Sequence, residues 1–540
     1  MVKNNYDKSS ESIRIVLDFI KDKYSKNDYI IIERELSKIG IMTNSNYHYK
    51  IESFNDLQLK LSIINEKGNS RKKKGVYYTP SDLVKYITIN SIKLWNFKLN
   101  SNNFHVNNLN GISYNKTCFK SKVFDPTCGV GEFILGILAV KFDLLEMHRE
   151  TVTKKDIFKI VETIYGNDIS LESIKITKIR IIVFLLERYG VEYIEGITDI
   201  LGKNFTNYDF ITDKVEKTFD IVIGNPPYVE DRVSGLEPDI KYGNIYANVL
   251  DNSSKLLKDN GVMGFVLPIS YVSTPRMAPI RDLMSKRLSK HFILSFADRP
   301  DSLFSEAHQK LCVCLFGNQI GKREVYTSSY NYWYKSERKE LFEKIKITKN
   351  PFENSKFIPK LGNKQSLSIY KKIIKGNKYL FDELNQNDGK NLYLNMRATF
   401  WIKVFDYPQK SLEYKKYTCK TEYADYLYCI LNSSLFWWYW ICISDCWHIT
   451  QKELRAFAIK DCDKYDKQLT KLAEKLKIKL EETKLYVGTK QTDFEYKHKD
   501  CIKTIHEIDD VICKIYDLND REKMYIKNFA LRYRIGVDLK

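Results

Sequence analysis

The segment Asp220-Ile-Val-Ile-Gly-Asn225-Pro226-Pro227-Tyr228 is an apolar strand that ends in an amide, two prolines and an aromatic ring. Those groups suit one chemical problem. The exocyclic amine of a nucleobase is a poor nucleophile because its lone pair is conjugated into the ring. An Asn oxygen and an adjacent backbone carbonyl can accept its two N–H bonds and localise that lone pair. The prolines restrict the backbone, so the Pro226 carbonyl is held in place. Tyr228 offers a face on which a base can stack, and a base must leave the duplex to reach it.

Three earlier segments could hold a co-substrate. Asp125-Pro-Thr-Cys128-Gly129-Val-Gly131-Glu-Phe133 follows the strand residues Val123 and Phe124. Glycines at a strand-to-helix turn let the backbone approach a ligand closely. The turn lacks the third glycine of a dinucleotide fingerprint and the Lys-Ser/Thr pair of a P-loop, so a ligand without pyrophosphate fits it better. Ile164-Tyr-Gly-Asn-Asp168 places an acid at the end of the next strand, where a carboxylate can accept ribose hydroxyls. Its distance from Gly131 exceeds the usual ~20 residues, which calls for an extra helix over 154–163. Asp199 is read as following a further strand at 193–194, positioned either for an adenine amine or as a helix cap. Upstream, Gly75-Val-Tyr-Tyr78-Thr79-Pro80-Ser-Asp82 reads as a helix start, with Thr79 as N-cap, Pro80 in the first turn and Asp82 completing a capping box. Such a start offers N–H groups to a carboxylate, although alone it is an ordinary cap.

In this order the segments resemble the amino-methyltransferases with an N-P-P-Y motif, specifically the gamma class of N6-adenine DNA methyltransferases of restriction–modification systems. The resemblance covers about residues 70 to 320. It implies a class I S-adenosylmethionine-dependent fold, a doubly wound α/β sheet, with a C-terminal target-recognition domain. Tyr78, Thr79, Pro80 and the turn from Asp125 through Cys128 and Gly129 to Gly131 would hold the methionine part of S-adenosylmethionine. Asp168 would bind its ribose and Asp199 its adenine, with Phe133 lining the site. Asn225, Pro226, Pro227 and Tyr228 would form the catalytic segment, and Phe304 a second wall for the flipped base. Double-stranded DNA is the implied partner, with a separate restriction endonuclease or specificity subunit as a further one. No metal is required, since the sulfonium carrier is already activated. Methylation of RNA or of a protein glutamine shares the same amine logic.

Positioning these groups requires strands that alternate with helices, and 122–317 has that rhythm. Strands are expected at 123–124, 164–166, 193–194, 219–223, 262–267, 292–296 and 311–316, the last two as an antiparallel pair at the sheet edge. Ile13, Val16, Leu17 and Ile20 form a helical stripe, followed by a second helix around 30–39. Beyond about 340 the texture turns to Lys, Tyr and Trp and ends in helices over 467–485 and 499–516. The divisions expected are a helical segment 1–70, a catalytic domain 71–335 and a recognition domain 336–540. The run 435–443 reads as a buried helix rather than a stacking platform. Arg397, Lys403, Lys410, Asp445 and His448 are candidates for contacts to bases or phosphates.

Composition bounds the rest. The 540 residues exceed one ordinary domain, and 43% hydrophobic content supplies a core. Lys plus Arg number 87 against 68 acids, a charge of +19 that suits a polyanionic partner or an AT-rich coding bias. The longest apolar run is roughly half of a membrane span. Eleven cysteines show no C-x-x-C pair and the N-terminal residues are charged, so reduced thiols in a cytoplasm are expected. Residues 1–74 are too short for a fused nuclease, and Glu33, Glu35 and Lys38 read as a charged helix face.

Overall fold

The computed structural model describes residues 8–40, 51–64, 79–100, 104, 108–304, 308–352, 356–490 and 492–537. The chain divides into two compact units. One comprises 1–271, 276–293 and 303–325, the other 272–275, 294–302 and 326–540.

The first unit is built on strands that read as near-continuous apolar runs, as buried parallel strands do. They are β1 (Val123–Asp125), β2 (Ile164–Asn167), β3 (Phe205–Thr206), β4 (Phe219–Gly224), β5 (Leu257–Pro268), β6 (Lys290–Phe296) and β7 (Leu311–Gly317), ordered β3-β2-β1-β4-β5-β7-β6. β3, β2, β1, β4 and β5 pair in parallel, and β7 runs antiparallel to β5. This is the class I S-adenosylmethionine-dependent methyltransferase sheet. The order reverses at β1, whose neighbours are β2 and β4, so ligands are expected beyond the C-terminal ends of those strands. The extra helix between the glycine turn and β2 is Lys154–Val161, closed by a Thr153–Asp156 capping box.

One expected strand is absent. Residues Val191–Tyr193 form a 3-10 turn after Gly190 (φ 94°), and the outer strand β3 comes a dozen residues later. Two apolar residues, Tyr193 and Ile194, were too short a signal to separate strand from turn. The N-terminal helices Lys8–Ile20 and Phe54–Ile63 pack on Leu171–Tyr189, so they belong to the same compact unit as the sheet. Glu35, read as part of a charged face, is instead buried. It accepts the Thr198 hydroxyl at 2.6 Å and Lys38 at 2.8 Å. Burial pulls its pKa upward, but those hydrogen bonds outweigh it and hold the carboxyl below the usual range.

His291 on β6 is buried, and burial pushes its pKa down to about 4 from 6.5, with Nε2 bonded to the Leu288 carbonyl at 2.9 Å. The folded-state value lies below the unfolded one, so the neutral ring's contribution is intact above pH 6.5 and is lost as pH falls toward 4. The stability difference between wild type and His291→Gln, read from urea unfolding, should therefore shrink by up to about 3 kcal/mol between pH 7 and pH 4. A difference that is flat with pH would contradict this.

The second unit contains β8 (Glu324–Asn331), which continues from the first and pairs antiparallel with β9 (Ile347–Lys349). It also holds a small antiparallel sheet ordered β11-β10-β12, from β10 (Lys390–Asn395), β11 (Val404–Phe405) and β12 (Tyr414–Cys419). Its core is the helix Ser434–Ile443, buried along its whole length. The polar tips in this aromatic run are satisfied. Trp437 donates to the Thr399 carbonyl at 3.0 Å and Trp440 to the His448 carbonyl at 2.9 Å. The Arg534 guanidinium lies 4.1 Å from the Trp401 ring and 4.2 Å from Trp437. The run is thus packing, as its continuous apolarity suggested. The terminal helices are Asp466–Thr483 and Ile502–Ile515. Among the described residues no helix is long and apolar enough to cross a membrane. All eleven cysteines are free and buried.

Candidate active site

The glycine turn after β1 is held by a web of backbone bonds. Cys128 N–H donates to the Asn167 carbonyl at 2.8 Å, and Gly131 N–H to the Cys128 carbonyl at 2.8 Å. Gly131 sits at φ 93° and caps the helix Glu132–Glu146. A Cβ there would meet Thr177 Cγ2 at 2.8 Å, so both conformation and space demand glycine. Thr177 donates its hydroxyl to the Gly129 carbonyl at 2.9 Å. Arg180 clamps the far side, bonding the Val130 carbonyl and Glu132, each at 2.7 Å, and Gln58 at 3.0 Å. Arg180 and Thr177 escaped the sequence reading because they lie mid-helix, where their spacing carries no motif.

Asp168, at the end of β2, accepts Gly129 N–H at 2.9 Å and Ser170 N–H at 2.8 Å. Asp125 is fully buried at the end of β1. Burial pushes its pKa well up, the Asp168 charge adds to this, and a bond from Thr127 N–H only partly offsets it. Its carboxylate lies against the end of β4, where a Cβ on Gly224 would meet Asp125 Oδ1 at 2.7 Å. The glycine immediately before Asn225 is therefore what lets the two strand ends approach. The Cys128 thiol is buried and its pKa raised by burial, reinforced by Asp125 and Asp168, so it is a packing group rather than a nucleophile. Phe133 is buried in the first turn of its helix.

Asp199 lies at the wrong end of the sheet. It is exposed in the first turn of Ile197–Asn204, a helix whose last residue bonds the Ile164 carbonyl at the start of β2. The acid that follows β3 is Asp209. Its neighbours Asn207 and Tyr208 bond the Asp168 carbonyl at 2.7 Å and Asn167 Oδ1 at 3.1 Å, which ties that loop to the β2 end. The error follows from the misplaced strand: the acid was sought after 193–194 rather than after 205–206.

The Asn225–Tyr228 segment follows β4. Asn225 Nδ2 donates to Thr79 Oγ1 at 3.1 Å, and Tyr228 donates its hydroxyl to Asn225 Oδ1 at 2.5 Å, with the Val266 carbonyl 3.1 Å away. Tyr246 meets the Tyr228 ring edge-on, centroids 6.5 Å apart. Thr79 is buried, and it does not cap its helix: Pro80 is the N-cap of Ser81–Trp95 and makes no side-chain cap bond. Asp82 accepts Leu83 N–H instead of closing a box. Tyr78 lies outside the described residues. A cleft of about 610 Å³ borders the loop after Tyr228, lined by Glu230, Arg232, Tyr242 and Arg276 among others. Phe304 is buried.

The site fits S-adenosylmethionine. A Cβ on Gly129 (φ 54°) would meet nothing within 4 Å, so the turn is open to a close-lying ligand. The buried Thr127 hydroxyl has no protein partner. Arg180, which reaches the turn from the helix Leu171–Tyr189, is already engaged by Val130, Glu132 and Gln58.

In the second unit, Arg397 and His448 face each other across an antiparallel bridge. Lys403 is half-buried with its pKa lowered by burial, and Lys410 is paired with Asp493 at 2.6 Å.

Residues 162–304 match the Eco57I restriction-modification methylase family. The chain is 22% identical over 202 residues to the type II methyltransferase M.PaeR7I of Pseudomonas aeruginosa, covering 36% of this chain and 34% of that protein. It is 30% identical over 155 residues to the modification methylase CviBIII of Paramecium bursaria Chlorella virus NC1A, covering 26% and 38%. The chain thus spans only about a third of the length of these curated relatives. A solved structure of the type IIL restriction-modification enzyme MmeI in complex with DNA shares the fold, with a TM-score of 0.52 at 12% identity over 99% of this chain and 92% of that one. Motif order, sheet and sequence likeness agree: residues 162–304 resemble the methylases of restriction–modification systems.

Proposed function

We propose that this chain is a site-specific DNA methyltransferase that methylates N6 of a flipped-out adenine in duplex DNA, as the modification enzyme of a restriction–modification or related defence system. The observation that carries the reading is Asn225, held at the end of β4 beside Tyr228 and adjoining the glycine turn across Asp125 and Gly224. A cytoplasmic setting accords with the free, buried thiols. A separate endonuclease or specificity subunit remains part of the proposal.

S-adenosylmethionine supplies an already activated methyl group, and the Asp125–Gly131 turn, Thr127 and Asp168 would hold it, with Asp209 near its adenine. Asn225 Oδ1 and the Pro226 carbonyl accept the two amine N–H bonds and localise the nitrogen lone pair. Tyr228 stacks on the base and fixes its plane. The proton leaves late, along one of those hydrogen bonds, so no separate general base is required. The test is methyl transfer from labelled S-adenosylmethionine to unmethylated genomic DNA, with nucleoside analysis of the product. Label in N6-methyladenine supports the reading. Label only in RNA or protein would replace it with the glutamine- or RNA-directed alternative.

Arg397 and His448 are proposed as a base-reading pair. Paired residues of an antiparallel bridge project to the same side. Both are about half exposed, and each is oriented by its own acid: Arg397 by Glu413 at 2.9 Å, His448 Nδ1 by Asp445 Oδ2 at 2.8 Å. The Arg397 fork keeps donors for guanine O6 and N7, and the Asp445 contact at Nδ1 leaves Nε2 of His448 for a second contact. Arg397→Ala should lower discrimination at one base position by about 1–3 kcal/mol, visible as a degenerate position when methylated sites are sequenced. A uniform fall at all sites would mean a phosphate contact instead.

A further inference from the structure

The catalytic amide has a problem that the N-P-P-Y segment cannot solve alone. An Asn side chain can be turned end for end at little cost, exchanging its oxygen for its NH2. Only one orientation serves, because an amine with two N–H donors needs the oxygen. The reverse orientation would set donor against donor.

The amide is held from outside the segment as well as within it. Thr79 Oγ1 accepts Asn225 Nδ2–H at 3.1 Å, while Asn225 Oδ1 receives the Tyr228 hydroxyl at 2.5 Å. The threonine is 3% exposed and sits just before the N-cap of a helix buried along most of its length, so its hydroxyl is fixed relative to the sheet. Backbone on both sides of the pair is rigid: Pro80 follows Thr79, and Pro226 and Pro227 follow Asn225. Because a hydroxyl can also donate, Thr79 can bond either end of the amide; what it fixes is the amide's place and plane, and the two N–H donors of an amine select the oxygen.

Tyr228 completes the arrangement. Its hydroxyl has one proton and two acceptors in reach, Asn225 Oδ1 and the Val266 carbonyl at 3.1 Å. With the proton on the Asn225 side, the acceptor intended for the amine is already occupied. With the proton turned to Val266, Oδ1 is released to the amine, while the Thr79 bond still holds the amide in place.

We propose that Thr79 is a positioning residue for Asn225: its hydroxyl holds the amide in place and in plane at the end of β4, and the Tyr228 hydroxyl holds Oδ1 until an incoming amine displaces it onto the Val266 carbonyl. This rests on the amine-methylating reading above. It assigns Thr79 to the orientation of the catalytic amide rather than primarily to the grip on the methionine part.

The test compares Thr79→Val, which keeps the shape and removes the hydroxyl, with Thr79→Ser, which keeps the hydroxyl. At saturating DNA and S-adenosylmethionine, Thr79→Val should lose about 10- to 100-fold in kcat with KM for either substrate within about threefold, and Thr79→Ser should restore most of it. Calorimetry with S-adenosylhomocysteine is the second readout, and Thr79→Val should bind it within about threefold of wild type. A tenfold or greater loss of that affinity, with kcat retained at saturation, would overturn the proposal and return Thr79 to the cofactor. Should wild type transfer no methyl group to DNA, the functional reading fails. Calorimetry then bears on Thr79 separately: lost affinity returns the residue to the cofactor, and unchanged affinity excludes that role.

Discussion

Asn225→Ala should reduce methyl transfer by about 1000-fold or more while leaving S-adenosylhomocysteine affinity within a few-fold of wild type. Removing one preorganised acceptor from a reacting centre typically costs about 3–4 kcal/mol of transition-state stabilisation. Here the loss should reach the upper end, because the alanine also strands two groups. The Thr79 hydroxyl loses its donor, and Tyr228 loses the acceptor at 2.5 Å and retains only Val266. Asn225→Asp separates the two contributions. It keeps an acceptor toward the base but replaces the Nδ2–H donated to Thr79 by a second oxygen, and it should recover part of the lost rate. Single-turnover rates at saturating DNA and cofactor are the measurement. Activity within tenfold of wild type in Asn225→Ala would remove this residue from the chemistry and leave the fold without its proposed reaction.

Asp168→Ala should weaken cofactor binding by about 100-fold, or roughly 3 kcal/mol, through loss of charge-assisted hydrogen bonds. The carboxylate also braces the protein, since it accepts Gly129 N–H at 2.9 Å and Ser170 N–H at 2.8 Å. Without it the glycine turn loses one of its anchors to β2, so affinity for every part of the cofactor should fall together. Asp168→Asn keeps one acceptor and should lie between. Calorimetric titration with S-adenosylhomocysteine measures both. A drop under threefold in Asp168→Ala would show that the β2 acid only braces the turn. In contrast to Asn225→Ala, activity should be partly recovered by raising the cofactor concentration.

What the sequence disclosed here follows a physical pattern. Segments whose function demands a rare backbone or a rare combination of residues were readable: Gly129 and Gly131 at positive φ, the acid ending β2, and Asn225 ahead of two prolines. The strands β1, β2, β4, β5, β6 and β7 each carried enough apolar residues to be seen; the antiparallel pair was expected between β6 and β7, and β7 also runs antiparallel to β5. β3 did not, because two residues, Phe205 and Thr206, contain no period. The misplacement of Asp199 is a direct consequence, since an acid at a strand end is identified only through its strand. Thr79 shows the opposite limit. Its type and position were noticed, but its hydrogen-bond partner is 146 residues away, and no local pattern distinguishes a capping hydroxyl from one that receives an amide. Arg397 and His448 were singled out separately as polar residues near aromatic runs, and only the bridge between their two segments makes them a pair.

The eleven thiols bear on how this molecule can be observed. Every one of them is buried, and those whose ionisation is shifted are shifted upward, with burial as the first cause. Maleimide and iodoacetamide reagents attack the thiolate at an accessible surface, so the native protein should be nearly silent to them until it unfolds. A single cysteine introduced at an exposed site, such as Leu412 or Ile320, would then carry a fluorophore or spin label against a dark background, with all eleven natural cysteines retained.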